Sequence, residues 1–236
     1  MTPPDLPTAG VVIAAAGAGT RLGGAKKQFR LLGGKPLLVQ TALRFESHPR
    51  VDAICVAVPA PEVDEITRMC RNYDLSKVVS IVAGGATRQE SVRIALAALP
   101  ISSRTVLTHD AVRPFVSSDD IDELLAALID HEAAVLAVPV TDTMCRTRDG
   151  LVSERVEREG VFRLLTPQGF RREVLERGHR KAIAESQVFT DEVTLVKSLG
   201  VDVKVVSCTS PNVKITTPAD WAQALWMWPA WMRAHE

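Results

Sequence analysis

Residues 14–29 read AAAGAGTRLGGAKKQF, a glycine-rich stretch with one arginine and two lysines directly behind an apolar, strand-like run. Glycines let backbone N–H groups approach an anion that side chains would block, so a strand, a glycine turn and flanking cations make a phosphate-binding arrangement. Gly17 and Gly19 open the turn, while Arg21 and Lys27 flank its later part; Lys26 reads as a solvated charge. Two common phosphate loops do not fit. The dinucleotide fingerprint needs G-x-G-x-x-G and an acidic residue closing the second strand, but Gly17, Gly19 and Gly23 are spaced otherwise and the second apolar run ends Val58-Pro59-Ala60. The P-loop of kinases and GTPases needs Gly-Lys followed by Ser or Thr, and these glycines lead instead to Ala25-Lys26-Lys27-Gln28.

What remains, G-x-G-T-R followed by K-Q, resembles the nucleotidyltransferases that join a nucleoside triphosphate to a phosphorylated partner. That resemblance implies attack of a phosphate monoester oxygen on the α-phosphorus with loss of pyrophosphate, so that negative charge builds on the transferring and the leaving groups. With a second pKa of about 6 the attacking phosphate is already largely an oxyanion at neutral pH, and no general base is required. Arg21, with its planar donor fork, suits the pyrophosphate; Lys27, a point charge, suits the α-phosphate.

Six further blocks follow in order: Ala83-Gly84-Gly85-Ala86-Thr87-Arg88-Gln89-Glu90-Ser91-Val92, Thr108-His109-Asp110-Ala111-Val112-Arg113-Pro114, Asp142-Thr143-Met144, Leu165-Thr166-Pro167-Gln168, Phe189-Thr190-Asp191-Glu192 and Asn212-Val213-Lys214-Ile215-Thr216. Together they resemble the 2-C-methyl-D-erythritol 4-phosphate cytidylyltransferase family of the non-mevalonate isoprenoid pathway, from about residue 11 to about residue 221. The resemblance implies that CTP and methylerythritol phosphate are the substrates, with Arg21, Lys27 and Lys214 as the catalytic cations. Ala15, Ala16, Gly17, Gly19, Gly84, Gly85, Ala86 and Ser91 would hold the nucleotide, those around the cytosine forming a tight slot of small residues and backbone amides. Where many relatives carry a polar residue this chain has Ala86, so contact there falls to the backbone. Asp110 would serve the ribose and a divalent ion, expected to be Mg2+, which would bridge phosphate oxygens because no dense carboxylate cage is present.

The acceptor phosphate pocket would draw on Arg113, Thr143, Arg158, Thr190 and Lys214, with Thr143 and Arg158 reaching a partner subunit's site from a hairpin arm in a homodimer. By residue type alone, Ser91 is as readily a helix-surface hydroxyl, Asp110 a turn former, and Arg158, inside Glu157-Arg158-Glu159, a surface ion pair. His109 reads as a structural donor, not a base. Lys26 replaces a common proline, Cys145 stands where a basic residue often follows, and Pro211 precedes Asn212 where acidic residues are common. The block around Thr190 and Lys214 argues against most other sugar-phosphate nucleotidyltransferases, whereas a ribitol 5-phosphate cytidylyltransferase would look very similar, and a non-catalytic nucleotide-binding module would keep the fold without Arg21, Lys27 and Asp110 being needed.

These side chains require strands that end together. Near-continuous apolar runs at 11–16, 53–59, 78–83, 104–111, 133–140 and 201–207 predict strands buried on both faces, hence a mostly parallel sheet covered by helices. Amphipathic stretches lie between them, two opening on capping boxes at Ser117 with Asp120 and at Thr217 with Asp220. The expected architecture is a doubly wound, Rossmann-like α/β sheet forming one domain over 1–236. Residues 141–160 break the alternation, polar on both faces with an Asp149-Gly150 hairpin turn, and predict an extended arm, 141–163, that either lies against a second copy of the chain or is a floppy surface insertion. In the tail WAQALWMWPAWM the tryptophans predict packing against the body, with Pro229 ending the helix.

At 236 residues and 46% hydrophobic the chain can bury a substantial core. Its net charge of zero gives nucleic-acid binding no compositional support. Four scattered cysteines without a C-x-x-C pair argue against zinc or a disulfide framework and suit a reducing cytoplasm. No apolar run is long enough to span a membrane, and the start MTPPDLPTAG lacks the features of a signal peptide, so no membrane association is expected.

Overall fold

The β-branched runs become the strands of one seven-stranded sheet in the computed structural model, which describes residues 6–17 and 27–235. In chain order these are β1 (Ala9–Ala14), β4 (Val51–Val58), β5 (Val78–Ala83), β6 (Thr105–Asp110), β7 (Ala133–Pro139), β10 (Phe162–Arg171) and β11 (Val203–Ser207). They lie side by side as β11-β7-β10-β6-β1-β4-β5, and every neighbouring pair is parallel except those made by β10, which runs antiparallel to both β6 and β7. The mostly parallel doubly wound sheet is thus the one expected, with a strand added. Proline removes a ladder donor and glycine leaves nothing to pack, so Pro167 and Gly169 leave 162–171 without a strand signature in the sequence. The register is interrupted between Leu164 and Gln168, where the proline sits.

Helices cover both faces because alternate strand residues point to opposite sides. Val11 and Ile13 of β1 join Phe45 of α1 (Leu37–Glu46), Ile66 of α2 (Val63–Asn72) and Leu124 of α4 (Ser118–Asp130) in one core layer. Val12 joins Val92 of α3 (Arg88–Ala98), Val174 of α5 (Arg172–Ala184) and Val196 of α6 (Glu192–Lys197) in the other. The chain winds outward from β1 through β4 to β5, then returns to lay β6 on the far side of β1. That reversal leaves a crevice at the carboxyl ends of β1 and β6, where Ala14 pairs with Asp110.

Both expected caps form, one of them differently. Thr217 and Asp220 exchange backbone and side-chain bonds at the start of α7 (Pro218–His235). Ser117 accepts from the Asp120 amide at 3.1 Å, but the Asp120 carboxylate crosses instead to the segment after β11, accepting from the Thr209 amide at 2.8 Å and the Ser210 amide at 3.2 Å. Pro229 does not end its helix: α7 continues to His235. Pro229 and Leu225, whose carbonyl loses its helical donor, are both exposed, so water can replace the missing bond. Trp228 and Trp231 pack edge-on against Phe115, as expected of the tail, while Trp226 is exposed.

The residues between β7 and β10 leave the sheet as the hairpin of β8 (Met144–Arg148) and β9 (Leu151–Val156), turning at Asp149 and Gly150 with φ of 52° and 79°. Leu151 and Val152 stand exposed on it. Among the described residues no helix is long and apolar enough to cross a membrane.

Candidate active site

The crevice at the ends of β1 and β6 contains a cavity of about 270 Å³. Its walls are Ala14, Ala15, Ala16 and Gly17 leaving β1, Gly85, Ala86, Thr87, Arg88 and Ser91 at the start of α3, Asp110, Ala111 and Val112 leaving β6, with Gln28 and Lys214. Small residues there leave space next to backbone. A Cβ on Gly84 would lie 2.4 Å from the Ala16 Cβ and 2.7 Å from the Ser91 Oγ, so the two loops can nest only because that position is glycine.

Hydrogen bonds hold this loop in shape. Ser91 is buried, not a surface hydroxyl: its Oγ accepts from the Gly85 amide at 3.1 Å and donates to the Thr87 carbonyl at 2.8 Å. Thr87 caps α3 by accepting from the Glu90 amide, and Glu90 in turn accepts from the Ala86 amide at 2.8 Å. The Ala86 amide that would have replaced a polar side chain is therefore already engaged.

Asp110 is where the charges meet. Its Oδ1 lies 3.2 Å from Arg88 Nε, and its Oδ2 lies 2.8 Å from Lys214 Nζ and 3.4 Å from Arg113 Nε. Burial would raise this carboxyl, but Arg88, Lys214 and Arg113 outweigh it and hold the group well below the usual carboxylate range. Its backbone is fixed by Thr166, whose Oγ1 accepts from the Asp110 amide at 3.1 Å. Arg113 donates to the Asn212 carbonyl at 2.7 Å, and Asn212 donates to the Thr166 carbonyl at 2.8 Å, closing a ring around the strand end.

Burial works against the Arg88 charge, yet Glu192 and then Asp110 overturn it and keep the guanidinium protonated. His109 is fully buried against the Phe45 ring, donates from Nε2 to the Arg113 carbonyl at 3.0 Å, and is held down to about 4 by its burial. It is a neutral structural donor that does not line the cavity.

Ala15, Ala16, Gly17, Gly85, Ala86, Ser91, Asp110 and Lys214 thus come together around one cavity, and Gly84, which does not line it, packs against Ala16 and Ser91. Arg113 touches Asp110 without lining the cavity. Thr190 is exposed just before α6, and Thr143 and Arg158 are exposed on the arm, Arg158 donating to the Thr141 carbonyl; none of the three lines the cavity in this chain. Gly19, Arg21 and the Lys27 side chain lie outside the described residues.

Arg88, Thr166, Glu192 and Asn212 were not singled out by residue type, although each falls inside a quoted block. A charge or hydroxyl gives no sign in sequence of the buried partner it will meet. For a divalent cation the donor set is thin: among the described residues no three His, Cys, Asp or Glu side chains gather. One ionised carboxylate at the cavity edge fits an ion whose other ligands are phosphate oxygens and water.

The sequence model of the family described as IspD, 2-C-methyl-D-erythritol 4-phosphate cytidylyltransferase, matches residues 9–228. The chain is 48% identical to the 2-C-methyl-D-erythritol 4-phosphate cytidylyltransferase of Salinibacter ruber, covering 96% of this chain and 95% of that one. It is 44% identical to the protein of that name from Symbiobacterium thermophilum over 91% of this chain and 90% of the other. Among solved structures, the 4-diphosphocytidyl-2C-methyl-D-erythritol synthase of Anaerococcus prevotii superposes with a TM-score of 0.80 at 28% identity, covering 96% and 99% of the two chains. The 2-C-methyl-D-erythritol 4-phosphate cytidylyltransferase of Thermus thermophilus gives 0.77 at 30% identity over 94% and 99%.

Proposed function

Because the chain belongs to the 2-C-methyl-D-erythritol 4-phosphate cytidylyltransferase family, we propose that it transfers the cytidylyl group of CTP to 2-C-methyl-D-erythritol 4-phosphate at the crevice between β1 and β6. A phosphate oxygen of the acceptor forms a bond to the α-phosphorus, the bond from that phosphorus to the bridging oxygen breaks, and pyrophosphate leaves. The product is 4-diphosphocytidyl-2-C-methyl-D-erythritol. No proton acceptor takes part, which agrees with a buried, neutral His109.

The cytosine occupies the slot between Ala15, Ala16 and the loop of Gly84, Gly85, Ala86 and Ser91. Gly17 and Gly19 serve the triphosphate as residues without side chains to block its approach, Arg21 takes charge on the leaving pyrophosphate, and Lys27 takes charge on the α-phosphate. Asp110 faces the ribose and would hold Mg2+, which supplies neutralisation of the triphosphate oxygens when bound. Lys214 releases part of its hold on Asp110 and turns to the acceptor phosphate, alongside Arg113 and Thr190.

Thr143 and Arg158 serve the partner's acceptor pocket through the arm, 141–163, in a homodimer, while the whole of 1–236 forms one domain. Four free cysteines agree with a cytoplasmic enzyme.

The observation that carries this reading is the ionised Asp110 at the switch point, with Lys214 2.8 Å away and glycine backbone opposite. The experiment is pyrophosphate release from CTP and Mg2+ against a panel of acceptors. Turnover with methylerythritol phosphate is expected; exclusive turnover of ribitol 5-phosphate would replace the acceptor, and CTP binding without any turnover would overturn the assignment.

A further inference from the structure

The first turn of α3 touches both halves of this reaction. Arg88 places Nε 3.2 Å from Asp110 on the nucleotide side and one terminal nitrogen 2.8 and 2.6 Å from the two oxygens of Glu192. Glu192 is 1% exposed and opens α6 directly after Thr190 and Asp191, whose carboxylate caps that helix by accepting from the Thr194 amide at 2.8 Å. Thr108 on β6 donates to the Glu192 carboxylate at 3.2 Å. The next residue of α3, Gln89, accepts from the Phe189 amide at 2.6 Å and donates to the Gln187 carbonyl at 3.3 Å. Two consecutive side chains therefore hold both the strand end that carries Asp110 and the loop that carries Thr190.

Stability alone is a poor reason for such a pair. Removing two charges from water can cost more than their attraction returns, and apolar replacements of buried ion pairs are often as stable. What an arginine fork provides that apolar packing does not is a fixed distance between two carboxylates on different elements.

Resting on the cytidylyl transfer proposed above, we infer that Arg88, paired with Glu192, is a positioning residue that fixes the acceptor-side loop 187–192 against the nucleotide cleft and aims Asp110 into it. Asp110 also faces Lys214 at 2.8 Å and Arg113 at 3.4 Å, so Arg88 is one of three cations that fix its direction, and the only one of them that also reaches the acceptor-side loop through Glu192. Neither Arg88 nor Glu192 has to touch a reacting atom for this role.

The test uses the full chain with Arg88→Gln, Glu192→Gln and the double variant, whose neutral amides keep the shape of the pair. Arg88→Gln is expected to raise the Michaelis constants for both CTP and methylerythritol phosphate at least tenfold, and Glu192→Gln to raise that of the acceptor more than that of CTP. The double variant should be no worse than the worse single one, because the two act as a unit, while melting within a few degrees of the parent. Independently of turnover, amide hydrogen exchange across residues 187–192 should quicken by about tenfold or more in Arg88→Gln, while that of the central strands stays as in the parent.

An unchanged acceptor Michaelis constant in both single variants, kinetic losses that merely follow a lowered melting temperature, or unchanged amide exchange across 187–192 would each overturn the inference. Failure of the unaltered protein to use methylerythritol phosphate would instead overturn the assigned reaction, leaving the amide exchange of 187–192 to decide the role of the pair.

Discussion

Asp110 shows how a single carboxylate can hold a site in readiness: three cations keep it ionised, and one of them, Lys214, is partly exposed and able to turn to a substrate phosphate. Cations whose attraction is needed only as pyrophosphate leaves should affect rate more than binding. Lys27→Ala is accordingly expected to lower kcat by about a hundred- to a thousandfold with a much smaller loss of CTP affinity, as read by steady-state kinetics beside calorimetric titration; equal losses in both would contradict its role. The buried imidazoles give a second expectation. His109 and His179 are both held down to about 4 by burial, whereas they titrate near 6.5 when unfolded. As pH falls from about 6.5 toward 4 the unfolded chain takes up protons that the native protein refuses, so stability present above that window is lost within it, up to roughly 3 kcal/mol for each. Melting temperatures should decline across this range, and more shallowly in His179→Phe, which removes one of the two groups; an identical slope would locate the protons elsewhere.

At the level of elements, the site depends on how loops are braced from outside it. The turn between the short strands β2 (Leu31–Leu32) and β3 (Lys35–Pro36) lies just beyond the glycine-rich segment, and α7 packs over it. Gly33 has φ of +56°, and a Cβ there would lie 1.8 Å from Trp228 Nε1. The Arg30 guanidinium lies 5.6 Å from the Trp221 ring centre, adding a second contact from the same helix. Gly33→Ala should therefore strain the backbone and push Trp228 away, costing about 1–3 kcal/mol. Urea titration followed by tryptophan fluorescence would measure it, and an unchanged midpoint would mean that α7 does not brace this turn. The Asp120 clamp on Thr209 and Ser210 is a comparable device on the other side, securing the segment that delivers Asn212 and Lys214. The sequence predicted that the tail tryptophans pack against the body but not which turn they meet, and it gave no sign of the Asp120 clamp, because an aspartate looks alike whether it meets solvent or a distant loop.

For the whole molecule, the exposed arm is the feature that one chain leaves unexplained. Leu151 and Val152 would be costly to leave in water, and Thr143 and Arg158 do not reach the cavity of their own chain. If each arm completes its partner's site, Arg158→Ala should mainly raise the Michaelis constant for the acceptor. A heterodimer of one Lys27→Ala and one Arg158→Ala subunit should then recover about half the activity of the parent, since one of its two sites is assembled from intact residues. Mixing tagged inactive variants and assaying the isolated heterodimer checks this; no recovery would show that arm and cavity act within one chain.

The parallel strands and the hairpin were readable directly from the chain, because hydrophobic periodicity and turn chemistry are local properties. Ordered blocks of residues carried the family and, through it, Ser91, Asp110 and Lys214. Tertiary structure alone decided that 162–171 runs antiparallel inside the sheet, that α7 passes through Pro229, and that Arg88 joins Asp110 to Glu192. Those outcomes turn on which distant surfaces meet and which charges lose their water together, and burial of that kind is settled only when the whole sheet closes on its helices.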